Sequence, residues 1–238
     1  MDRYLLVISR DYWGTISSES TALRFMDKFR VCAGIVEKNV MKLFGNEVTV
    51  SNVKKVISNA VKNALGLDVK RPRLYIYMNG HGNQVGDVNG DERNGICNGE
   101  SLIDEMDEVY QLPDGNVLDD DITEVINCAV KESGCDDKKL MVILISDHCS
   151  SGSMIDKVNV EFDWVSIGSS MDNQDSYVTG DGNVMTNVLL DVLCDIKGCV
   201  VLECYRRLDK GIRESFIGEM QVCTLHVSCE SMLYEVMW

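Results

Sequence analysis

The sequence predicts an α/β sandwich around a central, mostly parallel sheet of about six strands. Three observations carry that prediction. Short apolar runs alternate with stretches whose apolar residues recur at helical spacing, the pattern of strands joined by crossover helices. One run, LMVILIS at 140–146, is apolar throughout, as a strand covered on both faces must be. Two unusual segments, NGHG at 79–82 and DHCSSG at 147–152, directly follow strand candidates. In such sheets the reactive residues collect just past the carboxyl ends of strands.

Each element follows in order. Residues 4–9 (YLLVIS) read as a buried strand, and 21–36 space Leu23, Phe25, Met26, Phe29 and Val31 as a helix would. A weaker strand candidate covers 40–44. Ser51 is a plausible N-cap for a stripe of Val53, Val56, Ile57, Ala60, Val61 and Leu65 that stops at Gly66. Residues 73–78 (RLYIYM) form a strand, and 83–117 read as a long acidic, Gly-rich loop. The helix at 119–130 opens with Asp119, Asp120 and Asp121, which suit the positive end of its dipole. After 140–146 come a short strand at 165–168, a helix at 183–195, a partly helical 200–216 and a last strand at 221–227. Prolines occur only at 72 and 113, and no linker or repeat divides the chain, so 1–238 read as one domain.

Composition narrows the function. With 23 Lys plus Arg against 38 Asp plus Glu, the charge is 23 − 38 = −15, which repels nucleic-acid phosphates and anionic membrane. Cations or basic peptides are the better partners. No apolar run approaches the roughly 20 residues that span a bilayer, and the first one is too short for a signal-peptide core. A cytoplasmic address is therefore expected. The ten Cys include no CxxC pair and are accompanied by only three His, so they read as reduced thiols, mostly buried.

His81 and Cys149 carry the chemistry. A thiol is nucleophilic as thiolate, and a nearby imidazole can take its proton and return it to a leaving group. Neighbouring parallel strands would bring the two loops together, and the glycines beside them leave room for a substrate backbone and expose N–H groups for an oxyanion. His148 adjoins Cys149 but points to the opposite face if strand geometry continues, so it is a poor base. A packed thiol and a loop-bonding His are the structural alternatives.

The segments YIYMNGHGNQ, LDDDI and MVILISDHCSSGSMID resemble the metacaspase branch of the caspase-like cysteine peptidases, whose motifs read SGHG and D-x-C-H-S-G-S. Asp11-Tyr12-Trp13-Gly14-Thr15 is similar to the family's NYxGT, Ser169 to Gln174 to its SGCxDxQ, and Gly182 to Thr186 to its G-x-x-T helix start. The resemblance implies a caspase-like α/β/α sandwich, a bare peptidase domain and a monomer. It makes Cys149 the nucleophile, His81 the general base, and the N–H groups of Gly82 and Cys149 the oxyanion hole. Asp147 matches the position that lines the pocket for the residue before the scissile bond, where a carboxylate selects Arg or Lys. Asn79 could line the same pocket. Asp27 could add a second carboxylate, with Arg24 nearby, or be an exposed helix charge.

By the same resemblance Asp119, Asp120 and Asp156 fall on positions that bind an activating Ca²⁺, although a further ligand position holds Gly99; helix capping by the Asp run is the alternative. Residues 87–98 begin like an EF-hand, but Glu92 stands where that loop needs Gly and Asn98 where it needs Glu. Ser150 replaces the family's His and Asn79 its Ser. Lys157 is either a self-cleavage point or a surface charge. The expected activity is thus endopeptidase cleavage after Arg or Lys through a thioester, with calcium as a candidate stimulant. The alternative is a caspase-like regulator that binds a peptidase or its substrates. A flavodoxin-like binder ranks below both, because no phosphate-binding Gly loop follows a strand.

Overall fold

The apolar runs become strands and the striped segments become helices, as their periods require. A computed structural model of the chain describes residues 2–11, 18–86, 96–97, 100–101, 106–155, 160–195, 198–215 and 217–237. The first half of the order is β1 (Arg3–Ser9), α1 (Ser18–Cys32), β2 (Val40–Phe44), α2 (Val50–Leu65) and β3 (Arg73–Asn79). Then come β4 (His81–Gly86), β5 (Met106–Leu112), β6 (Gly115–Leu118), α3 (Asp119–Glu132) and β7 (Met141–Asp147). The remainder is β8 (Asp163–Gly168), β9 (Val178–Thr179), β10 (Gly182–Asn183), α4 (Val184–Asp195), α5 (Val201–Arg213) and β11 (Thr224–Val227).

Six strands form one sheet in the order β2-β1-β3-β7-β8-β11. All neighbours are parallel except β8 and β11. Every residue of β7 is buried, so its aliphatic side chains feed both faces. Ile143 and Ile145 join the core under α1, α4 and α5, with Phe25 stacked 4.1 Å from Tyr77. Val142 and Leu144 join the core under α2 and α3. The result is the expected α/β/α sandwich.

Three readings need correction. The stretch read as one loop from 83 to 117 contains a second, three-stranded sheet, β4-β5-β6, antiparallel throughout. Its strands carry few aliphatics, since HGNQVG exposes alternate residues to solvent, but Tyr110, Leu112 and Val117 pack into the α2–α3 core. The cap of α2 is Thr49, whose Oγ1 accepts from Asn52 N–H at 3.3 Å, not Ser51. Of the eight cysteines whose side chains are described all are free; only three are buried and two, Cys128 and Cys229, are exposed. No described helix is long and apolar enough to cross a membrane.

Candidate active site

The register of the sheet decides which loops meet. Asn79, the last residue of β3, pairs with Asp147, the last of β7, so the chain leaves both strands at the same height. Gly80 then turns with φ 151°, a conformation open to glycine, and His81 begins β4 opposite Gln111 of β5. Gly82 lies against the cysteine loop without a gap. A β-carbon there would stand 1.9 Å from the Cys149 carbonyl oxygen and 2.2 Å from His148 Nδ1. Histidine strand and cysteine loop are therefore in direct contact.

The cysteine loop is held from β8 and from the segment beyond it. Ser169 and Ser170 hydroxyls donate to the His148 carbonyl at 3.0 and 3.2 Å, and the Ser169 N–H donates to Ser151 Oγ at 2.9 Å. Ser150 N–H donates to the Gln174 carbonyl at 3.0 Å. Ser150 itself has φ 49°, which its β-carbon makes costly by roughly 1–2 kcal/mol, so these anchors hold a strained turn beside the thiol. The Cys149 Sγ accepts the Ser176 N–H at 3.3 Å.

His81 and Cys149 line one cleft of about 440 Å³, together with Ser18, His148, Ser176 and Asn183 among others. Burial pushes the Cys149 thiol above its ordinary value; the Ser176 N–H opposes the shift and the nearby Asp175 carboxylate adds to it. Partial burial holds the His81 imidazole below its usual value. At neutral pH the resting pair is thus a neutral thiol beside a neutral imidazole, which suits His81 to accept a proton when attack begins.

The His148 ring lies 5.5 Å from that of Tyr110, and His148 lines the same cleft as Cys149. Its Nδ1 is 2.9 Å from the Cys149 carbonyl, which can only accept, so Nδ1 carries the proton. Nε2 is buried with no hydrogen-bond partner, and burial pulls the ring's pKa down to about 4.

The other expected residues divide. Asp147 is fully buried on the α4 side, where its carboxylate accepts from Thr186 N–H (3.1 Å), the Thr186 hydroxyl and the Ser176 hydroxyl (3.2 Å). It lies beneath the cleft and does not form its wall. Asn79 is also fully buried, donating to the Ser18 carbonyl at 2.9 Å. Asp27 is an exposed helix charge, nine residues or ~13 Å along α1 from Ser18, and away from the cleft. Arg24 pins the β9–β10 turn through the Asp181 carbonyl and Asn187.

Asp119 is buried in the first turn of α3, and Asp121 is tied to Lys54 at 2.6 Å and to Leu118 N–H. Asp156, Lys157, Gly99, the EF-hand-like stretch up to 95 with Asn98, and Tyr12 to Thr15 lie outside the described residues. A calcium ion takes six to eight oxygens. Asp119 and Asp120 belong to no group of three or more metal-capable side chains among the described residues. Two neighbours of the thiol escaped sequence reasoning, Asp175 and Ser176; their only signal is their place just after the Ser169 to Gln174 block.

No protein-family model matches the chain, and no curated protein matches it in sequence. Its fold is similar to the crystal structure of protein GSU0716 from Geobacter sulfurreducens, with a TM-score of 0.68 and 19% identity over 100% of this chain and 98% of that one. At that identity the likeness speaks for the fold alone: a three-layer α/β sandwich.

Proposed function

We propose that the chain is a cysteine endopeptidase that cleaves after Arg or Lys. The observation that carries this reading is the meeting of His81 and Cys149 in one cleft at the carboxyl ends of adjacent parallel strands. In the proposed reaction His81 takes the thiol proton while Cys149 Sγ attacks the peptide carbonyl. The N–H groups of Gly82 and Cys149 hold the oxyanion. The C–N bond breaks as His81 protonates the leaving amine, leaving a thioester. Water, deprotonated by His81, then releases the acid and restores the thiol. Proton transfer of this kind is worth ~10²–10⁴-fold.

The preference for a basic side chain rests on charge. Among the described residues lining the cleft none is Lys or Arg, Asp175 stands at the thiol, and Asp147 lies one hydrogen bond below Ser176. A cation in the cleft would meet a negative field; an acidic side chain would meet repulsion. The raised thiol pKa favours a second reading, a regulator with little turnover.

Fluorophore release from short peptides ending in Arg, Lys or Asp decides between them, with and without millimolar calcium. Cleavage after Arg or Lys that disappears in Cys149→Ala is expected. Cleavage after Asp would refute the charge argument, and no cleavage by folded protein in either condition would leave the regulator.

A further inference from the structure

Apart from His81's strand the thiol has a polar neighbour in Ser176, and Ser176 is gripped from below. Its N–H donates to Cys149 Sγ at 3.3 Å, and its hydroxyl donates to Asp147 Oδ1 at 3.2 Å. The other oxygen of that carboxylate is locked by Thr186, whose N–H donates at 3.1 Å and whose hydroxyl also donates. Asn183 Nδ2 holds the Asp147 carbonyl at 3.3 Å. The carboxylate is therefore a fixed anchor, rooted where β7 meets the start of α4.

Resting on the reading of Cys149 as nucleophile, we infer that Asp147 and Ser176 are a positioning pair for its thiolate. Asp147 holds the Ser176 hydroxyl, and this aims the Ser176 N–H at sulfur. When the thiol proton passes to His81, the charge left on Sγ accepts that N–H as a charge-assisted hydrogen bond, stronger than the one to the neutral thiol. The stabilisation grows with the charge, so it favours the attacking form over the resting one. Burial of the site and the Asp175 carboxylate oppose the thiolate, and the Ser176 N–H, ahead of the N–H of Cys149 itself, favours it. The pair explains why a fully buried carboxylate lies under the cleft: its hydrogen bonds point at the nucleophile's neighbour and not at the substrate.

The backbone around Ser176 has other anchors, and these make the inference testable. Tyr177 N–H donates to Gln221 Oε1 at 2.8 Å, and Gln174 Oε1 accepts from Val222 N–H at 2.8 Å. Were these enough to aim the Ser176 N–H, its hydroxyl would be dispensable. Alkylation of Cys149 by iodoacetamide across pH, read by mass spectrometry of the peptide bearing it, separates the cases. In folded Ser176→Ala, neutral-pH alkylation is expected to slow about tenfold and the thiol's apparent pKa to rise by about one unit, the scale of one weakened charge-assisted bond. Ser176→Thr, which keeps the hydroxyl, should restore the rate to within about twofold of wild type. Asp147→Asn should change the rate in wild type and have little effect in Ser176→Ala, because it acts through that side chain.

If Ser176→Ala alkylates like wild type, or Thr fails where Ala fails, the pair is refuted while the nucleophile stands. If wild-type Cys149 labels no faster than exposed Cys128 and His81→Ala leaves its rate unchanged, the nucleophile itself is refuted and the pair with it. Should Asp147→Asn not fold, the Ala and Thr variants of Ser176 decide alone.

Discussion

The two halves of the proposed dyad are built on different supports. Cys149 continues the central strand β7, whose every residue is buried, and its loop is held by hydroxyls and N–H groups from the far side of β8. His81 is an exposed residue that opens a strand of the small antiparallel sheet, away from the main one. The core fixes Cys149; a surface meander delivers His81. Changes in the meander should therefore cost activity before they cost the fold, and changes around the cysteine loop should cost both.

The largest effect is expected at the seam. Gly82→Ala puts a methyl onto the Cys149 carbonyl and His148, so the meander must lift away. Peptidase turnover should fall at least ~10²-fold, as for a catalytic group misplaced by about an ångström, and overpacking should cost roughly 1–3 kcal/mol in a urea melt. A variant as active as wild type would show that the two supports are not in contact. His81→Ala should reduce kcat by ~10²–10⁴-fold with an unchanged melting curve, since the ring is exposed. Loss of stability alongside would dissolve the contrast drawn above.

Acid sharpens the comparison. In the folded chain His148 stays neutral until about pH 4, whereas unfolded it takes a proton near 6.5. Between those values the unfolded state binds more protons, so stability present above pH 6.5 is lost as pH falls through the window. The loss should be on the order of 3 kcal/mol. Urea midpoints measured from pH 7 to 4 should show a shallower fall in His148→Gln; an identical slope would exclude His148 as the source. The smallest effect is at Tyr110, whose hydroxyl donates to the Asn79 carbonyl at 2.8 Å and ties the meander to the end of β3. That carbonyl also receives Arg10 N–H, so Tyr110→Phe should cost only about 1 kcal/mol in the same melt.

What was legible in the sequence follows the same division. The main sheet could be read because its strands are buried on both faces and show as unbroken aliphatic runs, LMVILIS above all. The meander could not, because HGNQVG and MDEVYQL mix glycine and carboxylates with few aliphatics, and only their inward residues meet the core. The motifs singled out His81 and Cys149, and the structure brings both into one cleft. Asp147 was placed at the right strand end, yet motif position alone did not separate cleft wall from cleft foundation. Ile143 and Ile145, four and two residues earlier on the same face, already pointed toward α4. Ser176 carries no signature, because its contribution is a backbone N–H that any residue but proline possesses.

The cleft's walls come from Ser18 at one side and Asn183 at the other, and the strands that align its two loops are joined only after both crossovers are complete. A chain still emerging during synthesis has Cys149 exposed to solvent before Ser176 and Thr186 exist to hold its surroundings. Cys149 is made early, but its surroundings are completed only when Ser176 and Thr186 follow it in the chain.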